Sequence, residues 1–147
     1  DRFPQNKDVE VQKGDRITTI EMNSAPFFSV GAASLSEDGI KVLSELKPSL
    51  MSDEYKDYMI SVEGYTDDSP IKTAQFPSNW ELSSARAASV VRSLIDLGVP
   101  AERLRAVGFA DTNPKAPNRD ANGKAIPDNQ AQNRRVIIRL EKIVKQK

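Results

Sequence analysis

The stretch Val62-Glu63-Gly64-Tyr65-Thr66-Asp67-Asp68, a proline-containing loop, and then Asn79-Trp80-Glu81-Leu82-Ser83-Ser84-Ala85-Arg86-Ala87 decides the fold. Tyr58 to Tyr65 reads as a strand with Met59, Ile60 and Val62 as its apolar body, running out at Asp67. Ser78 and Glu81 have the spacing of a capping box, which starts a helix close to Asn79. Ala87, Val90, Val91, Leu94 and Ile95 follow at i, i+3, i+4, i+7 and i+8, and Gly98 is the natural stop. Arg86 lies seven residues after Asn79, near two helical turns, so both share one side of the helix, facing the loop that holds Asp67. A carboxylate and a guanidinium facing one cleft can hold a ligand that carries both an ammonium and a carboxylate. The same two side chains can also pair with each other, and the sequence does not separate a clasp from a bridge.

Working outward, residues 1–15 are polar, close on Lys13-Gly14-Asp15 and read as a linker or lead-in. Residues 16–22, with Ile17, Thr18, Thr19 and Ile20, favour a strand, and Phe27 and Phe28 are expected to plug the core at its end. A helix is expected from Ser34 or Ser36, with Ser34 and Glu37 as its capping box and Ile40, Leu43, Leu46 and Leu50 as its stripe. Pro48 is expected to end or kink it near Lys47. A short turn over 100–103 precedes a strand over 104–107, and 135–140 closes the sequence as a strand. Residues 111–134 form a long polar connection, and loops of that length are often functional. The predicted class is α+β: a two-layer sandwich in which a mixed sheet of about four strands carries helices on one face, with a parallel component.

Composition narrows function. The 147 residues suit one domain, expected over 16–147, and 38% hydrophobic with 29% charged residues describes a folded, well-solvated chain. The 21 basic and 21 acidic side chains cancel, so there is no electrostatic footprint for nucleic acid. The absence of cysteine and histidine removes disulfides, Cys/His zinc sites, thiol nucleophiles and histidine-based triads. No apolar run approaches the roughly 20 residues of a membrane helix. The chain begins at Asp1 rather than Met and is expected to be a fragment from which any targeting segment was left out.

Two further patterns have duller readings. Asn118-Arg119-Asp120-Ala121-Asn122-Gly123 echoes a calcium loop, but Asn stands first and Asn129 stands twelfth where a bidentate Glu is needed, so it reads as a surface turn. Glu63, Asp67 and Asp68 suggest a glycosidase pair only superficially, since adjacent acids at a strand end point in different directions.

Gly64-Tyr65-Thr66-Asp67, Asn79-x-x-Leu82-Ser83-x-x-Arg86-Ala87 and Asn133-Arg134-Arg135-Val136 together resemble the OmpA-like peptidoglycan-binding domain, over roughly residues 16–141. Asp67-Asp68-Ser69-Pro70, Ser78 to Ser83 and Ala110-Asp111-Thr112-x-Pro114 are most similar to its MotB branch, the stator subunits of the bacterial flagellar motor. The resemblance implies a noncatalytic, periplasmic anchor without cofactor or metal. Asp67 would meet the ammonium of diaminopimelate in the peptidoglycan stem peptide and Arg86 its carboxylate, while Asn79, Thr66 and Leu82 shape the pocket. Arg135 is expected to reach the pocket or brace Asp67, with Arg134 left open as a structural residue. The resemblance also implies a homodimer, a membrane channel partner and a single-pass inner-membrane parent protein. Two departures stand out: Tyr65 replaces the usual His, and Gly31-Ala32-Ala33 replaces Gly-Ser-Ala, losing a hydroxyl near the site mouth.

Overall fold

The computed structural model describes residues 3–29 and 31–143. Asp1 and Arg2 of the lead-in, Val30 of the motif before the first long helix and the last four residues of the expected domain lie outside them. Five strands form one sheet: β1 (Val9–Lys13), β2 (Ile17–Asn23), β3 (Tyr58–Tyr65), β4 (Leu104–Gly108) and β5 (Arg135–Lys142). Their order is β1-β2-β5-β3-β4. The β3–β4 pair is parallel, as its crossover helix requires, and the β1–β2, β2–β5 and β3–β5 pairs are antiparallel.

Alternation along the central strands sets the layers. Ile60 and Val62 of β3, Val136, Ile138 and Leu140 of β5, and Ile20 and Met22 of β2 are fully buried on one face. Helices α1 (Ser24–Phe27), α2 (Glu37–Leu50) and α3 (Asn79–Asp96) supply the other half of the core through Phe27, Val42, Leu43, Leu46, Leu50, Ala87, Val90 and Leu94. Phe27 and Phe28 both plug it. Ile40 and Ile95, expected in the helical stripes, are instead exposed at 45% and 40%: in α2 the buried face includes Val42, which was not in the expected stripe, and in α3 Ala87, Val90 and Leu94 carry it without Ile95.

The sheet has one strand more than the four expected. Val9–Lys13, read as part of a polar lead-in, pairs along the edge of β2, with Val9 and Val11 against the core and Glu10 and Gln12 facing away. Two valines among polar residues are too faint a period to read, and the strand exists because β2 offers an unpaired edge.

Of the two expected starts, α2 uses Ser36, two residues after the Ser34 of the Ser34–Glu37 box: Ser36 Oγ accepts from the Gly39 amide at 3.1 Å. It runs through Pro48 to Leu50, because a proline in the last turn removes one hydrogen bond at an exposed position. Its end is held from outside. Arg103 donates to Leu50 O, Tyr58 O and Tyr55 O at 3.0, 3.0 and 2.6 Å. Arg103→Ala takes a donor from all three acceptors, of which Tyr55 O keeps the Tyr58 amide at 2.9 Å, and a loss of about 2 kcal/mol is expected in urea unfolding. An unchanged midpoint would mean that water replaces the guanidinium at no cost. Residues 111–134, expected as loop, contain α4 (Pro127–Asn133).

Candidate functional site

The end of β3, the start of α3 and the loop before α2 converge on one cleft. Ser78 Oγ accepts from the Trp80 amide at 3.2 Å and bonds the Glu81 carboxylate, so α3 begins at Asn79 as its capping residues predict. Gly64 lies directly beneath the carbonyl of Ser83, which seats this helix tightly against β3.

Asp67 is buried, and its acceptors are mostly occupied. Its Oδ1 accepts from the Ser69 amide at 2.9 Å, and its Oδ2 pairs with Arg134. Its backbone carbonyl accepts from the Thr66 hydroxyl at 2.8 Å and lies 3.5 Å from Asn79 Nδ2. Asn79 also donates to Ser69 O at 3.0 Å, tying the helix start to the loop behind the acid. Thr66 is fixed by its amide, which donates to Ala110 O at 2.8 Å. Ala110 sits at a φ of 53°, left-handed backbone that is strained for a residue with a side chain, and its amide is held by Ser83 Oγ at 3.1 Å. Leu82 is buried on the same stretch of α3.

Arg86 is 4% exposed. Its Nε donates to Ala32 O at 2.8 Å and its Nη2 to Ser29 O at 3.1 Å, and the guanidinium lies 5.1 Å from the ring centroid of Phe28. The loop that lost its hydroxyl therefore holds the arginine through backbone carbonyls, which Ala32 supplies as well as serine would. Among the described residues Arg86 forms no ion pair. Burial pushes its pKa down to about 10; the positive charge of Arg134 adds to the drop and Asp67 opposes it. It remains charged at neutral pH, a buried cation held by neutral oxygens. Asp67 and Arg86 thus do not close on one another, and the bridge that the sequence left open is made by Asp67 with Arg134.

The brace on Asp67 comes from Arg134 and not from Arg135. Neighbouring residues entering β5 point to opposite sides, so only one of the two arginines can reach the acid. Arg135 is buried with its guanidinium 4.2 Å from the Tyr65 ring centroid, and it donates to Asn133 O and Asn113 O at 3.1 and 3.0 Å. Tyr65 stacks on Phe109 and donates to Glu63 at 3.1 Å, and burial first, with Glu63 beside it, raises its pKa to about 12. It works here as a packing residue that stays protonated.

Each acid of the suspected hydrolytic trio has its own cation. Glu63 takes both nitrogens of an Arg139 fork at 3.1 Å, Asp67 takes Arg134, and Asp68 takes Arg119 at 2.7 Å. Gln130 adds a bond to Asp68 at 2.9 Å. Burial pulls the Asp68 carboxyl upward, but Gln130 and Arg119 outweigh it and hold its pKa below the usual range. Asp68 is therefore the latch for residues 111–134, a role its position beside Asp67 does not reveal. In the calcium-like stretch, Asp120 Oδ1 accepts from the amides of Asn122 and Lys124 at 2.9 Å each, as a turn residue does.

The profile of the OmpA family matches residues 27–127. Motility protein B of Bacillus subtilis (strain 168) is 30% identical over 143 residues, covering 94% of this chain and 52% of that protein. The chain spans about half the length of the curated relatives it matches. Among solved structures, the cell wall anchor of the T6SS from Pseudomonas aeruginosa is 30% identical with a TM-score of 0.81, over 93% of this chain and 90% of that one. The periplasmic domain of Helicobacter pylori MotB is 26% identical with a TM-score of 0.78, over 92% of this chain and 83% of that one. Among the described residues no helix is long and apolar enough to cross a membrane. With the Asp67–Asn79–Arg86 cleft on a five-stranded mixed sheet and a family match across most of its length, the chain belongs to the OmpA family.

Proposed function

We propose that this chain is a noncatalytic, periplasmic peptidoglycan-binding anchor that recognises diaminopimelate in the stem peptide. The observation that carries this reading is Arg86: a buried guanidinium without an ionic partner among the described residues, beside a carboxylate at the end of β3. Burying a cation is unfavourable unless an anion joins it, so the cleft is prepared for a carboxylate. Asp67 supplies the acceptor for the ammonium on the same carbon. Asn79, Thr66 and Leu82 shape the walls, while Arg135 supports Tyr65 from below. Charge-assisted hydrogen bonds are worth about 1.5–3 kcal/mol each, which suits a modest single-site affinity raised by multivalency on a polymeric wall.

The likeness to motility protein B and to the MotB periplasmic domain supports assignment to a flagellar motor stator subunit. In that role the chain acts as a homodimer, attached through a single-pass inner-membrane segment to a channel partner, and holds the channel still against the wall. A second reading, an anchor of a secretion system or outer membrane, is favoured by the likeness to the T6SS cell wall anchor and shares the same site chemistry. Expression of full-length protein in a stator-deleted strain separates the two: restored swimming supports the stator, and its absence with wall binding intact supports the other.

The wall-binding claim is tested by sedimentation with purified peptidoglycan. The parent chain is expected in the pellet, Asp67→Ala in the supernatant, and no soluble fragments released. Equal sedimentation of both proteins would refute the site, and released muropeptides would establish a hydrolase instead.

A further inference from the structure

Two consecutive acids at the end of β3 are both taken up by the segment that leads into β5. Asp68 is held twice, by Arg119 at 2.7 Å and by Gln130 at 2.9 Å. Asp67 is held by Arg134 alone from that segment, and the two partners differ in exposure: the Arg134 side chain is 40% exposed and that of Asp67 10%. Of the other acceptors of Asp67, Oδ1 takes the Ser69 amide, and the backbone carbonyl takes the Thr66 hydroxyl with Asn79 Nδ2 at 3.5 Å. An ammonium arriving from solvent therefore meets Asp67 where the Arg134 guanidinium already sits.

We propose that Arg134 is an internal counterion that occupies Asp67 in the free protein and that the ligand's ammonium displaces. This rests on the reading of Asp67 as the ammonium acceptor. An acid already neutralised by a guanidinium offers a second cation little net attraction, and Arg86 nearby adds to the repulsion. Displacement removes that conflict. The Arg134 side chain is already 40% exposed, so its freed head rehydrates at small cost. The backbone of Arg134 stays in place, because its amide bonds Gln130 O at 3.2 Å and its carbonyl accepts from Ser24 N at 2.9 Å. The Asp68 latch and the Asn133 bonds to the amides of Lys115 and Ala116 are independent of that ion pair, so only one side chain has to move.

The consequence is a site whose affinity is set lower than Asp67 and Arg86 would give alone, and which rejects adventitious cations until one arrives with a carboxylate for Arg86. Partly exposed pairs of this kind shift binding by about two- to fivefold.

Titration calorimetry with meso-diaminopimelate on the parent, Arg134→Gln, Arg134→Ala and Asp67→Asn tests this. Both Arg134 variants are expected to bind about two- to fivefold tighter than the parent, while their thermal midpoints without ligand are equal or lower. A purely structural role moves affinity and stability in the same direction, so tighter binding without a gain in stability supports displacement. Unchanged or weaker binding by the Arg134 variants, with the parent binding and Asp67→Asn not, overturns the inference and leaves the proposed function standing. Asp67→Asn binding as well as the parent overturns the proposed function, and the inference with it.

Discussion

Gly64→Ala is expected to be strongly damaging although it adds a single methyl group. An added Cβ would lie 2.2 Å from the carbonyl oxygen of Ser83 and 2.9 Å from its carbonyl carbon, both backbone atoms of α3. Neither can swing aside as a side chain end would. The helix must lift, and the same helix carries Leu82 and Arg86 over the cleft and buries Ala87, Val90 and Leu94 in the core. On the other side Gly64 is fixed by β4 and β5, and its carbonyl accepts from the Phe109 amide at 2.9 Å. Overpacking usually costs 1–3 kcal/mol, and a clash between two backbones lies at or beyond the upper end, so a loss of about 3 kcal/mol or more is expected. The measurement is a urea unfolding midpoint, which should fall without a change in slope. A midpoint equal to the parent's would show that α3 is not seated on Gly64 as described.

The second large effect is expected on binding, with the fold largely retained. Arg86→Met keeps an unbranched apolar stem beside Phe28 but removes the cation. Ala32 O and Ser29 O each lose the arginine's hydrogen bond, though Ser29 O keeps the Ala32 amide at 3.0 Å, and this costs stability, while the desolvation of a buried charge is removed, which offsets part of it. Free-state stability should therefore change by no more than about 2 kcal/mol in either direction. Binding has no such compensation, because a ligand carboxylate placed there meets no donor. Removing one partner of a buried, hydrogen-bonded charge pair costs about 2–5 kcal/mol, so diaminopimelate affinity should fall at least 30-fold. Retained affinity in a folded Arg86→Met protein would place the carboxylate elsewhere.

Much of this architecture was legible in the residues. The β3 span, the Ser78 cap and the start of α3 at Asn79 appear as read, because each rests on strong local chemistry: an apolar run, a side chain bonding an end amide, and a 3.6-residue period. Helix α4 was missed because Pro127-Asp128-Asn129-Gln130-Ala131-Gln132-Asn133 has no apolar period, although a proline at the first helical position was a usable signal. Strand β1 was missed for the related reason that edge strands need little burial of their own.

For the site, the sequence by itself determined which chemical groups gather: an acid ending a strand, and an amide and a guanidinium two turns apart on the helix that follows. Those are consequences of spacing, which backbone periodicity turns into direction. Only the tertiary structure decided their partners. It gave Asp67 to Arg134 rather than to Arg86 or Arg135, left Arg86 on neutral carbonyls, and made Asp68 a latch for Arg119 and Gln130. Charge pairing depends on side chains that lie more than 50 residues apart along the chain, and no local period encodes which of several arginines arrives first.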